Sequence, residues 1–240
     1  MKHGSTFVTL IAALSVLGTP VIANAQDQDE LPARVSDFVF TEAPDDHVTG
    51  HEDAAITMII WASVTCSHCS SWFSKEWPLV KSELVETGKL RVVLREFPTA
   101  PGNLAMAGFQ LANCAPTEDY FSIIEYQMEQ QEKIFEAARE GRGAEVYGEI
   151  ANLAGMATNE AMTTCLRNPD IAAHIVDNAS RAKLAGIKGV PGFLINGLPY
   201  KGNTDAETLV DLIGEMDAKG LSTLPQNKNA TGKSSNQSHK

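Results

Sequence analysis

Positive charge is scarce in this sequence of 240 residues: 19 lysines and arginines face 30 aspartates and glutamates, giving a formal net charge of −11. Without a basic patch, binding to nucleic acid or to an anionic lipid surface is excluded as the main role. After the first 25 residues no apolar run is long enough to span a bilayer. Cysteine is limited to four residues, Cys66, Cys69, Cys114 and Cys165. A tetrahedral zinc site usually needs a second close cysteine pair or two histidines at short spacing, and neither is visible in the chain. No internal repeat is visible either.

What is present begins with an export signal. Met1-Lys2-His3 is a short basic start, Phe7 to Leu17 is almost unbroken apolar sequence, and Ala23-Asn24-Ala25 is a small-x-small cleavage site. Cleavage after Ala25 is expected, with Gln26 as the first mature residue; losing Lys2 takes the formal charge from −11 to −12. The run is too short for an anchor, Gly18 and Pro20 break it, and it holds no cysteine for lipid attachment. A soluble protein in an oxidising, extracytoplasmic compartment follows. The length suits one domain, or one domain with an insertion.

The chain is organised around Trp61-Ala62-Ser63-Val64-Thr65-Cys66-Ser67-His68-Cys69. Residues 26–52 read as a loose segment carrying an edge strand at Arg34 to Phe40, then a loop from Pro44 to Gly50. Ala54 to Ala62 is nearly continuous apolar sequence, as in a strand buried on both faces. From Cys66 to about Glu86 an apolar stripe of Phe73, Trp77, Val80 and Leu84 predicts a helix, kinked by Pro78 and stopped at Gly88. Leu90 to Phe97 predicts the next strand, parallel to the first. Residues 101–186 are helical in pattern and read as a bundle inserted into an α/β unit made of residues 53–100 and 187–220. Asn168-Pro169 marks a helix start. Gly192 to Lys201 predicts a hairpin, and Thr204-Asp205-Ala206-Glu207 a capping box that opens a last helix. Residues 221–240 are rich in Ser, Asn and Lys and are expected to be a disordered tail.

A strand that delivers two cysteines to the first turn of a helix builds a reactive thiol. The unpaired N–H groups and the positive end of the macrodipole favour thiolate over thiol. Cys66 at the helix end is expected to be the attacking or attacked sulfur, and Cys69, one turn in, the resolving one. His68 between them can donate a hydrogen bond or a charge to sulfur, stabilising the reduced form and making the disulfide an oxidant. Half of a zinc site and a purely structural disulfide are the alternatives. Cys114 and Cys165, 51 positions apart on apolar faces of separate helices, are expected to form a second disulfide, with two buried free thiols as the alternative. His47, His51 and His174 read as isolated surface or ordinary residues.

Cys66-Ser67-His68-Cys69 opening its helix, the helical insertion, Leu90-Arg91-Val92-Val93-Leu94-Arg95-Glu96-Phe97-Pro98, and Gly189-Val190-Pro191-Gly192-Phe193 before the final hairpin together resemble the DsbA family of bacterial thiol-disulfide oxidoreductases. The resemblance covers roughly Asp53 to Lys219. It implies a thioredoxin-like fold, a central mixed sheet flanked by helices. It also implies a cis Val190–Pro191 bond facing the cysteines, where backbone groups of Val190 meet the substrate strand; on the sequence alone a trans bond would be expected. Reduced, unfolded exported polypeptides are the implied substrates, and a quinone-linked membrane thiol oxidase of DsbB type the implied reoxidant. No metal or organic cofactor is implied, and a monomer is expected. One position departs from the family: six residues before the first cysteine its members usually bury an acidic residue, and this chain has Ile60. That leaves water or substrate to take the Cys69 proton. The expected function is disulfide introduction by a periplasmic dithiol oxidase. A reductase or isomerase using the same site is the alternative, disfavoured because only about 30 residues separate the expected cleavage site from the core, where isomerases of this superfamily carry a dimerisation domain. A non-catalytic zinc or binding module is a third reading.

Overall fold

The computed structural model describes residue 1 and residues 36–224. The export signal with its cleavage site and the tail from residue 225 lie outside the described residues. Five strands, β1 (His47–Thr49), β2 (Ile56–Ala62), β3 (Leu90–Glu96), β4 (Gly192–Ile195) and β5 (Leu198–Tyr200), form one sheet in the order β1-β3-β2-β4-β5. Among the described strands only β2 and β3 run parallel, in register from Ile56 opposite Leu90 to Ala62 opposite Glu96; the other neighbours are antiparallel. The sheet is mixed and thioredoxin-like.

The continuous apolar sequence of β2 is explained by burial on both faces. On one side Ile56, Met58, Ile60 and Ala62 join Leu90, Val92 and Leu94 in the main core. On the other, Ile59, Trp61, Val93 and Leu194 pack with Val39, Ala182 and Ala185. Each such side chain withdrawn from water contributes roughly 1.5–3 kcal/mol before entropic costs.

The edge strand is not where the sequence places it. Of the expected strand at residues 34–40, the described part is a helical residue, Ser36, followed by turn and bend, and β1 lies inside what reads as a loop. Arg95 is the physical reason. Its guanidinium donates to the carbonyls of Val39 (3.1 Å) and Thr41 (2.7 Å) and pairs with Asp46 at 2.7 Å, both side chains being fully buried. The segment is folded around that cation, and three residues of strand carry too little alternation to be read.

The helix expected from Cys66 to Glu86 is interrupted. It comprises α1 (Ser67–Lys75), α2 (Trp77–Val80) and a π-helical turn, Lys81–Val85, in which Glu86 N–H donates to the Lys81 carbonyl at 2.9 Å. Pro78 has no N–H and clashes with the preceding turn, so the break falls upstream and the proline sits in the first turn of α2. Gly88, at φ +77°, ends the unit.

Between β3 and β4 lie α3 (Gly102–Asn113), α4 (Tyr120–Glu129), α5 (Gln131–Arg139), α6 (Gly143–Leu153), α7 (Asn159–Leu166) and α8 (Pro169–Leu184). Phe109, Ile124, Met128 and Ile150 from these helices belong to the same core cluster as β2. The Asn168 side chain caps α8 by accepting from the N–H groups of Asp170 and Ile171. The cap of the last helix, α9 (Ala206–Ala218), is one residue later than the expected box: Asp205 accepts from Thr208 N–H, while the Thr204 carbonyl accepts from the Trp72 indole. Asn196 and Gly197, both at positive φ, form the tight turn between β4 and β5.

Cys114, at the end of α3, is joined to Cys165 on α7. Closing a 51-residue separation removes unfolded-state entropy equivalent to about 4 kcal/mol. The Cys114→Ala/Cys165→Ala double variant is therefore expected to lose up to about 4 kcal/mol in chemical denaturation, with Cys66 and Cys69 held in one redox state throughout. A loss below about 1 kcal/mol would show that the bridge does not act through loop closure.

Candidate active site

The end of β2 and the start of α1 place the cysteine pair. Cys66 is the N-cap residue of α1, in extended conformation; its N–H donates to the Ser63 carbonyl at 3.1 Å, and its own carbonyl accepts from Ser70 N–H at 3.0 Å. Cys69, one turn in, is fully buried, whereas Cys66 is half-buried and His68 exposed. Both thiols are free in this structure. The peptide bond before Pro191 is cis, and the Cys66 sulfur lies 3.5 Å from the Val190 carbonyl oxygen.

This arrangement separates the two thiols electrically. Cys66 is pulled down from 9.0 to about 5, first by the hydrogen bond from Cys69 and then by the N–H groups of Cys69 and His68 and the charge of His68, against the effect of burial. Cys69 is pushed up, first by the hydrogen bond it supplies to Cys66 and then by burial and the nearby Cys66 charge. One proton is held on Cys69, and the exposed sulfur is the thiolate.

Ile60 is fully buried among apolar side chains. The polar group touching Cys69 there is the Ser63 N–H, 3.4 Å from its sulfur. The Ser63 hydroxyl in turn contacts Thr65 Oγ1 at 3.0 Å and Thr99 Oγ1 at 3.0 Å, and Thr65 Oγ1 donates to the Thr99 carbonyl at 3.0 Å. This hydroxyl cluster ties the loop before Cys66 to the loop after β3. Sequence reasoning missed it, because Ser63 and Thr65 lie in the Trp61–Cys69 stretch but Thr99 meets them only through the β2–β3 pairing. Gln131 of α5 was missed as well; its amide donates to the carbonyls of Val64 (2.8 Å) and Cys66 (3.2 Å).

Two concavities flank the cysteines. One, of about 810 Å³, runs beside Thr65 and Ser67 and is lined by Pro101, Leu104, Phe135 and Ala138, so the insertion walls it with apolar side chains. The Ala100–Pro101 bond at its edge is also cis. The other, of about 470 Å³, lies between His68, Trp72, Val190 and Pro191. His51 stays at the surface and exposed, but His47 and His174 are not isolated: both are brought to Glu96 at the end of β3.

Comparison with known proteins agrees with this geometry. A family model described as Thioredoxin matches residues 42–215. A Rickettsia prowazekii protein named as a protein-disulfide oxidoreductase is 27% identical over 182 residues, covering 74% of this chain and 64% of its own length. One from Rickettsia bellii with the same name is 28% identical over 183 residues, covering 75% and 68%. The chain therefore spans somewhat less than two thirds of the first of these relatives. Among solved structures, Wolbachia pipientis alpha-DsbA1 superposes with a TM-score of 0.66 at 24% identity, over 75% of this chain and 94% of that one. Chlamydia trachomatis DsbA does so with a TM-score of 0.61 at 16% identity, over 76% and 96%. These likenesses show the fold, a thioredoxin-like sheet with helices inserted as in DsbA structures.

A depressed Cys66 stabilises the reduced protein once the thiolate forms. Its contribution is fully present above the ordinary thiol value of 9.0 and is lost as pH falls through about 5. The stability difference between reduced and oxidised protein is expected to grow in favour of the reduced form as pH rises from about 5 to about 9. Denaturant titrations of both forms check this, and a flat difference contradicts it. His68→Gln removes one source of thiolate stabilisation. It is expected to lower the reduction potential, by about 30 mV for each tenfold loss of thiolate stability; an unchanged glutathione equilibrium contradicts that role.

Proposed function

The chain belongs to the thioredoxin family, and on that premise we propose that it is an exported thiol-disulfide oxidoreductase of DsbA type that introduces disulfides into reduced, unfolded polypeptides. The observation that carries this reading is the electrical asymmetry of the pair: a half-exposed Cys66 held as thiolate beside a buried, protonated Cys69. A sulfur with so low a proton affinity is a good leaving group, and a dithiol stabilised in the reduced form makes an oxidising disulfide.

In the proposed cycle the enzyme starts as the Cys66–Cys69 disulfide. A substrate thiolate attacks Cys66, the Cys66–Cys69 bond breaks, and Cys69 takes the electron pair and then a proton. The mixed disulfide at Cys66 is resolved when a second substrate thiolate attacks the substrate's own sulfur and expels Cys66 as thiolate. Substrate leaves with a disulfide, and the enzyme leaves with two electrons. In this reading the Val190 carbonyl, 3.5 Å from the Cys66 sulfur, and the cis Pro191 turn present backbone to an extended substrate segment. With Ile60 in place of an acid, the Cys69 proton exchanges with water or substrate. We assign reoxidation to a membrane, quinone-linked thiol oxidase of DsbB type and the cycle to the periplasm. Among the described residues no helix is long and apolar enough to cross a membrane.

Cys69→Ala is the direct test. Without its resolving thiol the protein is expected to accumulate mixed disulfides through Cys66, visible as adducts that disappear on reduction, and Cys66→Ala is expected to abolish them. Alkylation trapping of the wild type in cells decides the direction. A mostly oxidised Cys66–Cys69 pair supports the oxidase, and a mostly reduced pair transfers the assignment to a reductase or isomerase.

A further inference from the structure

Away from the cysteines, three residues far apart in sequence converge beneath the β1 edge of the sheet. His47 of β1, Glu96 at the end of β3 and His174 of α8 each bring one ligand-capable atom to within 4.8 Å of the others. We propose that His47, Glu96 and His174 form a structural site for a divalent transition-metal ion, zinc in the first instance, separate from the redox pair.

The donor set comes first. Two imidazoles and one carboxylate suit zinc, completed by water in the fourth position. Hydrogen bonding also prepares His174 for the task. Its Nδ1 is 3.1 Å from an Asp45 carboxylate oxygen, which can only accept. Its Nε2 is 3.1 Å from Asn178 Nδ2, which can only donate. The proton is thereby assigned to Nδ1, and the Nε2 lone pair faces inward, 3.6 Å from Glu96 Oε2. A carboxylate that fixes a histidine tautomer from behind is the outer support zinc-binding histidines ordinarily have.

The charge balance points the same way. Asp45, Asp46 and Glu96 supply three carboxylates, while Arg95 and Arg181 supply two guanidiniums, both directed to the aspartates. Glu96 is fully buried and, among the described residues, has no lysine or arginine in ion-pair range. A buried carboxylate faced by imidazoles and neutral donors but by no permanent cation is costly. Asn113 (2.9 Å) and Tyr120 (2.8 Å) donate to Oε1 and Asn178 (2.5 Å) to Oε2, which leaves Oε2 a lone pair for an ion. The Asn178 amide now bridges His174 and Glu96, and the ion would displace it. Solvent can reach the site past Asp45, whose side chain is 58% exposed, and His174, which is 13% exposed. An ion here would tie β1, β3 and α8 together. It would also brace the loop that carries Thr99 to the Ser63 and Thr65 hydroxyls.

The test is zinc titration of the full chain with Cys66–Cys69 oxidised, so that no thiolate competes, followed by calorimetry and by cobalt(II) substitution. One equivalent of zinc is expected to bind and raise the melting temperature. Cobalt is expected to show d–d absorption without the charge-transfer band of a thiolate ligand. His47→Ala and His174→Ala, both at partly exposed positions, should each weaken binding by about tenfold or more while circular dichroism shows the fold retained. If either variant unfolds, His174→Gln replaces the ligand with a neutral side chain of similar reach and must weaken binding to the same degree. Zinc taken up only by the reduced protein would assign it to Cys66 and Cys69. That result, no uptake at all, or uptake unchanged in the histidine variants would each overturn the proposal.

Discussion

The parallel ladder between β2 and β3 is the constraint from which the rest of the molecule follows. Its register, from Ile56 opposite Leu90 to Ala62 opposite Glu96, brings the two strand ends level, and Phe97 N–H continues the pairing to the Ala62 carbonyl at 2.9 Å. Two loops therefore leave the sheet side by side. One carries Ser63 to Cys66 and the other Phe97 to Pro101, which is why the Thr99 hydroxyl, distant in sequence, can lock together with those of Ser63 and Thr65. A slip of one residue would turn Ile60 and Ala62 out of the main core and carry Cys66 away from the Val190 carbonyl.

The ladder also sets the electrostatics on both sides of the sheet end. Toward the cysteines, the backbone amides of the first turn of α1 and the buried Cys69 thiol all point at one sulfur. A thiolate is favoured there even though partial burial works against it. The same helix start makes Cys69 harder to ionise, because the proton one sulfur gives up is the one the other keeps. Toward α8, Glu96 is buried yet ionised. Burial opposes its charge, and the imidazoles of His174 and His47 with hydrogen bonds from Asn113 and Asn178 outweigh that effect. The first environment is half-open and suits exchange with a partner sulfur. The second is lined by Tyr120, Trp61 and Asn178 and suits holding elements together.

The helices between β3 and β4 do more than cover the sheet. Gln131 reaches the carbonyls of Val64 and Cys66, Ser70 of α1 donates to the Met128 carbonyl at 2.7 Å, and Phe135 with Leu104 walls the groove beside Ser67. The insertion thereby holds the loop before the cysteines on one side, while the hairpin and Pro191 approach from the other. A substrate segment, on the proposed reading, meets two surfaces of different composition on either side of Cys66.

Much of this was legible from local patterns. The apolar run into Cys66-Ser67-His68-Cys69, the periodicity of residues 101–186, Asn168-Pro169 and the Gly197 turn each determine their own conformation through short-range physics: burial on two faces, helical spacing, a side-chain cap, a positive φ. What depended on distant partners was not legible. The edge strand sits at His47–Thr49 because Arg95 gathers the preceding segment. The Thr99 contact with Ser63, the reach of Gln131 and the meeting of His47, Glu96 and His174 have no signature in spacing at all. By itself the sequence determined which residues could do chemistry and the elements that carry them. Which of those residues share one polarised environment was decided only by the tertiary structure, because hydrogen bonds and charges act across a few ångströms of space and take no account of separation along the chain.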